Sequence, residues 1–292
     1  MELRLEALSA IDMHVHLEVS DSGRDGLGPT LRAGADAYFR REARLPTAAE
    51  TAAFYRERSM AAVLFAVDAE RTTGVRPVSN DEVLAAARAN PDVLIPFVSV
   101  DPWRGDAAIV EAERLIAAGA RGFKLHPTLQ AFMPSDRLAY PLYEVIEASR
   151  LPVIFHTGHS GIGAGLRGGG GIRLKYGNPM ELDDVAADFP DLPIILAHPS
   201  FPWQDEALSV CLHKPNVYID LSGWLPRHFP SSLVRYANTL LADKVMFGSD
   251  YPLISPDRWL ADFAELEIRD EVRPRILKDT AARVLGLDAQ NG

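Results

Sequence analysis

The sequence predicts one (β/α)8 barrel, an α/β fold in a single domain spanning 1–292. Three observations predict it. Eight short apolar runs alternate with helical patterns along the chain. The runs are continuous, as in Pro-Ile-Ile-Leu-Ala at 193–197 and Lys-Val-Met-Phe-Gly at 244–248. Such runs suit strands buried on both faces of a parallel sheet. The length of 292 residues accommodates one such barrel, which needs about 250. A doubly wound open sheet is the competing architecture. It would place a glycine fingerprint after its first strand, where this chain has His14-Val15-His16. No repeat at fixed period and no linker divides the chain.

The first strand is expected over 9–15, followed by a long polar loop over 17–46 with a short helix around 35–44. A loop of that length in a compact domain is usually functional. Thr47 is placed to cap a helix through 58, with Glu50 as its capping-box partner. The expected strands then fall at 61–67, 93–100, 121–126, 152–156, 193–198, 217–221 and 245–250. Helices are expected at 81–90, 106–118, 138–149, 179–188, 204–212, 231–241, 256–266 and 270–285. A glycine-rich loop occupies 158–177, after the fifth strand.

Composition narrows the function classes. Apolar residues make up 47% of the chain, enough for a sizeable core. The single cysteine, Cys211, excludes an internal disulfide and a cysteine zinc cluster, and fits the reducing cytoplasm. The opening Met-Glu-Leu-Arg-Leu-Glu lacks the basic and apolar regions of a signal peptide, and no apolar run reaches the ~18 residues of a membrane span. A net charge of -10 argues against a nucleic-acid partner. A homodimer is left open.

The chemistry concentrates at strand ends. Side chains alternate along a strand, so His14 and His16 share a face, about 7 Å apart. Imidazole suits zinc, iron or nickel. In a parallel barrel every strand's C-terminal end opens on one face, where catalytic groups gather. Strand four ends with Lys124 and His126, strand five with His156, strand six with His198 and strand eight with Asp250. One strand-end histidine is more often a hydrogen-bonded interior residue than a ligand. Ligand-type residues at strand ends one, five, six and eight together point to a metal site.

Asp12-Met-His14-Val-His16, Gly122-Phe-Lys124-Leu-His126-Pro, Pro152-Val-Ile-Phe-His156-Thr-Gly, Ile195-Leu-Ala-His198-Pro and Phe247-Gly-Ser-Asp250-Tyr-Pro resemble the amidohydrolase superfamily. More narrowly, they resemble the amidohydrolase-related branch that includes aminocarboxymuconate semialdehyde decarboxylase. The resemblance runs from Ile11 to the terminal Ala281-Ala-Arg-Val-Leu-Gly-Leu. It implies one divalent ion, usually zinc, with manganese, cobalt or iron as alternatives. The implied ligands are His14, His16, His156 and Asp250, and His198 is implied as the catalytic acid/base. A catalytic zinc keeps one exchangeable position and lowers the pKa of a water there toward ~7. Asp250 also enters the catalytic set, because its second oxygen can orient that water. Superfamily members with two metals bridge them with a carboxylated strand-four lysine, a role Lys124 would fill. The decarboxylase-like branch is mononuclear, and Lys124 with His126 would then meet the substrate.

The glycine-rich stretch lacks the Gly-Lys-Ser/Thr ending of a phosphate loop. Its position after strand five and its glycine density suit a flap over the metal. Arg167 and Arg173 are candidates to meet an anionic substrate, and Trp203 and Trp224 to wall its pocket. The expected activity is non-oxidative decarboxylation of a small aromatic, dienoic or β-keto acid. The alternative is hydrolysis of an ester, lactone, amide, thioester or activated carbon–carbon bond. A non-catalytic barrel would be expected to have lost a ligand position, and none is lost.

Overall fold

The computed structural model describes residues 3–40 and 44–288. Eight parallel strands follow the chain: β1 (Ala10–His16), β2 (Met60–Phe65), β3 (Leu94–Pro96), β4 (Phe123–Leu125), β5 (Val153–His156), β6 (Ile194–Ala197), β7 (Val217–Asp220) and β8 (Val245–Met246). Strands β1 to β3 pair in order, as do β4 to β8. The backbone just beyond the regular strands joins these two sheets. On one side Val98 N–H donates to Gly122 O at 3.0 Å and Lys124 N–H to Val98 O at 2.8 Å. On the other, Met13 N–H donates to Phe247 O, Asp250 N–H to His14 O and His16 N–H to Tyr251 O. The last strand thus returns to the first, and the barrel closes.

Two apolar layers result from the alternation of side chains. Met13, Val63, Phe65, Ile154, Ile195 and Met246 pack together from five strands and fill the barrel. Their neighbours Leu64, Phe123, Phe155, Leu196 and Ile219 belong to the other layer, which holds the helices against the barrel's outside. Such burial is worth about 1.5–3 kcal/mol per large side chain, against the entropy of ordering it.

The expected strands are found: the first is shifted by one residue to Ala10–His16, the second begins one residue early at Met60, and the rest are shorter than expected. The capping box of the helix Ala48–Glu57 forms with Thr47 and Glu50. The first-loop helix is a correction: it spans Pro29–Phe39 rather than 35–44. Pro29 opens it, because a proline's fixed φ and missing N–H suit a first helical turn. Residues 41–43 of the expected helix lie outside the described residues. The expected helix over 270–285 also departs from regularity, with a π turn at Arg275–Asp279. The wider turn changes the backbone pairing, and Ile276 O accepts from Phe247 N–H at 2.7 Å, which ties the C-terminal helix to the end of β8.

Candidate metal centre

Strand β1 carries a bulge. Asp12 pairs with Ala62 and Val15 with Leu64, so Met13 and His14 together oppose Val63. The extra residue changes the phase of the strand. Ile11 and Met13 face the barrel interior, Asp12 and Val15 lie outside, and His14 and His16 turn inward again. Without the bulge, an interior Met13 would put both histidines on the outer face.

Asp12 pins this bulge to the last strand. One oxygen accepts from His14 N–H and Ser249 N–H, the other from the Tyr55 hydroxyl at 2.7 Å and the Ser249 hydroxyl at 2.5 Å. Asp250 follows with φ at 73°, a left-handed conformation rare outside glycine. That turn aims its carboxylate back over β1. The donor atoms of His14, His16 and Asp250 lie within 4.8 Å of one another. His16 Nε2 is 3.1 Å from Asp250 Oδ1, and His14 Nε2 3.5 Å. Lys124 Nζ is 3.2 Å from His14 Nε2. Phe65 forms the floor, edge-on to both imidazoles and beneath the Lys124 ammonium.

On the far side, His156 Nδ1 is 3.0 Å from His198 Nε2, and His198 Nδ1 is 2.9 Å from the Ser222 hydroxyl. Ser222 reaches Asp220 Oδ1 through a short hydrogen bond, and Asp220 Oδ2 is 3.0 Å from His14 Nδ1. His198 also sits in the left-handed region, at φ 74°. A side chain on Gly223 would come within 2.6 Å of His198 Nδ1, and one on Gly248 within 3.0 Å of Asp220 Oδ1. Both positions therefore require glycine for this approach. The cluster forms the base of an open cleft walled by Tyr38, Phe39, His159, Ile162, Trp224 and Leu253.

The amidohydrolase family model matches residues 11–287. The chain belongs to the amidohydrolase family. It is similar to the fluG protein of Emericella nidulans, 26% identical over 165 residues, which span 52% of this chain and 18% of that protein. It therefore spans about a fifth of that curated relative. A TIM-barrel protein from Bordetella bronchiseptica superposes with a TM-score of 0.80 at 25% identity, over 96% of this chain and 99% of that one. A dihydroxybenzoic acid decarboxylase from Polaromonas sp. JS666, solved with bound manganese and the inhibitor 2-nitroresorcinol, superposes at 0.67 and 17% identity over 96% and 98%. At that identity the likeness concerns the fold.

The electrostatics of this amidohydrolase site fit a divalent cation. Burial, with the Lys124 ammonium nearby, pushes the His14 imidazole down to about 3, and burial with His126 and His198 holds His156 well below the ordinary histidine range. Both rings are neutral and keep a lone pair. Burial alone would raise the Asp250 carboxyl, but the His16 ring beside it outweighs burial and holds it below the usual carboxylate range. Neutral imidazoles around an ionised carboxylate are the donors that zinc and its neighbours take. His156 Nε2 is buried without a hydrogen-bond partner, and Asp250 Oδ1 meets only the His16 and His14 rings, at 3.1 and 3.5 Å. A buried polar atom left unpaired costs about 1–3 kcal/mol, a deficit that a bound cation removes.

The structure brings His14, His16 and Asp250 together and puts Lys124, His126, His156 and His198 in the same cleft. The His156 nitrogens are not part of the tight three-residue group. His126 turns Nδ1 away to accept from the Thr128 hydroxyl and Leu129 N–H, capping the helix Pro127–Gln130. Trp224 lines the cleft, while Trp203 starts the helix Gln204–His213 outside it. Arg167 and Arg173 are exposed and do not line it. Their loop coils through glycines with φ near +60° at Gly168, Gly169 and Gly170, and carries both side chains toward solvent.

The sequence reading missed Asp220, Ser222, Tyr38 and Phe39. Asp220 had a signal: it ends β7 in Val-Tyr-Ile-Asp, the same strand-end position that singled out His156 and Asp250. Tyr38 and Phe39 had none, because their place depends on how the long first loop folds back over the barrel mouth.

Proposed function

We propose that the protein is a metal-dependent enzyme that decarboxylates a small aromatic, dienoic or β-keto carboxylic acid without an external oxidant. The observation that carries this reading is the joint placement of the His14, His16 and Asp250 donors and the Lys124 ammonium at the base of one aromatic-walled cleft. His14, His16, Asp250 and His156 would hold one divalent ion, zinc by the donor chemistry, with manganese, cobalt or iron as alternatives. When bound, that ion supplies a Lewis acid toward substrate oxygens. A single ion is favoured because His156 and His198 spend a nitrogen each on one another. A second ion bridged by a carboxylated Lys124 would compete for those atoms.

The chain's own groups suit a monocarboxylate. Among the described residues that line the cleft, Lys124 is the one lysine and arginine is absent. Its ammonium would pair with the substrate carboxylate. Tyr38, Phe39 and Trp224 offer flat surfaces for a conjugated ring or chain. His198, after taking a second proton onto Nε2, would deliver it to the carbon bearing the carboxylate and return to the neutral ring. The carbon–carboxylate bond then breaks, its electron pair restores the conjugated system, and carbon dioxide leaves.

The second reading is hydrolysis of an ester, lactone, amide, thioester or activated carbon–carbon bond, favoured by the family itself and served by the same donors. Turnover of hydroxybenzoates and dienoic acids in oxygen-18 water separates the two. Decarboxylation evolves carbon dioxide and places only a solvent proton in the organic product. Solvent oxygen in that product, with no carbon dioxide evolved, refutes it and leaves the hydrolase.

A further inference from the structure

The hydrogen bonds from Asp220 to His156 have a direction that the donor inventory fixes. An ionised carboxylate only accepts. The Ser222 hydroxyl, which touches Asp220 Oδ1, must therefore give its one proton to Asp220. Its oxygen is then an acceptor toward His198 Nδ1 at 2.9 Å, so His198 carries its proton on Nδ1. A neutral His198 then has a lone pair on Nε2. His156 Nδ1, 3.0 Å away, must supply the proton between those rings. That leaves His156 Nε2, the buried atom without a partner, as a lone pair. The other Asp220 oxygen does the same for His14: Nδ1–H donates to Oδ2 at 3.0 Å and Nε2 is the lone pair.

We infer that Ser222 is a positioning residue, which with Asp220 sets His14, His198 and His156 as Nδ1–H tautomers and leaves Nε2 as the lone pair a cation would take, unpartnered on His156 and facing the Lys124 ammonium on His14. A ring in the other tautomer would aim an N–H at the ion, and the group that bonds the opposite nitrogen decides between them. One carboxylate thereby orients both sides of the cleft, directly on β1 and through one hydroxyl on β5 and β6. Gly223 and Gly248 leave the room for it, since a methyl at either would press on His198 Nδ1 or Asp220 Oδ1. The inference draws on the proposed metal site only for what the free Nε2 atoms would hold.

The test reads tautomers directly, by two-bond proton–nitrogen correlation spectra of the full chain labelled with 15N-histidine, metal-free and then titrated with zinc. Signals are assigned by their loss in single His→Asn variants. The expected wild-type spectrum has His14, His156 and His198 protonated at Nδ1. Ser222→Ala is expected to give His198 a mixture of tautomers, and Ser222→Thr, which keeps the hydroxyl, to restore the wild-type pattern. Asp220→Asn, which can donate where Asp220 only accepts, is expected to disturb His14 as well and to weaken zinc about 10- to 100-fold. A wild-type His198 protonated at Nε2, or a Ser222→Ala spectrum identical to wild type, overturns the inference. Should Ser222→Ala not fold, the wild-type spectrum alone decides. Correct tautomers in a protein that does not bind zinc would sink the metal reading and leave this one standing.

Discussion

His126 lies flat against His156, their ring centroids 3.9 Å apart and their planes 8° apart. The stack and the bond to His198 hold the His156 ring on both sides, so its free Nε2 keeps one orientation. His126 is itself fixed, because its Nδ1 caps the short helix that follows β4.

Removing the stack is therefore expected to cost metal affinity through looser orientation of His156. Ring pairs of this kind contribute about 0.5–1.5 kcal/mol beyond their area. His126→Ala is expected to weaken zinc roughly 2- to 12-fold by chelator competition, since 1.4 kcal/mol is tenfold. His126→Phe keeps a flat ring and is expected to lose less. Equal losses in the two variants would argue that His126 acts through something other than its face.

Substitution is expected to separate the proposed ligand from the proposed acid. His14→Ala is expected to abolish stable metal binding, because it removes the donor shared by both clusters of ligand-type residues. His198→Asn is expected to retain close to one ion per chain and to lose about 100- to 10,000-fold in turnover, the usual contribution of a general acid. Chelation should abolish activity, and zinc, cobalt or manganese should restore it. Metal analysis and turnover on the same preparations check both points. Release of the ion by His198→Asn as readily as by His14→Ala would make His198 a ligand.

Asp12 is expected to carry stability rather than chemistry. It is fully buried, and burial pushes its carboxyl up to about 6 despite hydrogen bonds from Ser249, Tyr55 and His14. Tyr55→Phe deletes one donor to a charged group, a bond worth about 1.5–3 kcal/mol. Asp12→Asn is expected to cost more, because its amide sets N–H against Ser249 or Tyr55, both of which donate. Urea unfolding of the two variants measures the difference. A neutral Asp12→Asn would mean that the bulge in β1 holds without this anchor.

The alternation of apolar runs made the barrel legible, and the strand-end rule made His14, His16, His156, His198 and Asp250 legible. Both work because a parallel barrel ties sequence period to side-chain direction. The pairing of His14 and His16 was readable from their spacing. The bulge that turns them inward was not, since it depends on which residue of β2 stands opposite. The cleft walls were the least accessible part. Arg167 and Arg173 were reasonable candidates by charge and position. Their side chains point to solvent because successive left-handed glycines rotate the loop, a conformation with no readable period. Tyr38 and Phe39 come from a helix that begins six residues before the expected start, where Pro29 follows Gly28 at φ 84°.

That helix and the glycine-rich loop form one contact, and they are expected to order together when a ligand enters. A side chain on Gly161 would meet the Phe39 ring at 2.5 Å, and one on Gly34 would meet Leu166 at 3.0 Å. The two segments thus touch at two points through glycine on alternate sides. Tyr38, Phe39, Gly161 and Ile162 all line the cleft above the histidines. Closing a site against water strengthens the charge interactions inside it, and loops that do so commonly order on binding. Amide hydrogen exchange with and without a small aromatic carboxylate shown to bind tests the coupling. Residues 161–171 are expected to exchange readily in the free protein and to gain protection on binding, with 34–39 gaining it in parallel. Gly161→Val should separate the two segments, because its branched side chain would meet Phe39. Strong protection of 161–171 in the free protein would count against a flap. Protection gained by one segment alone would show that the two move independently.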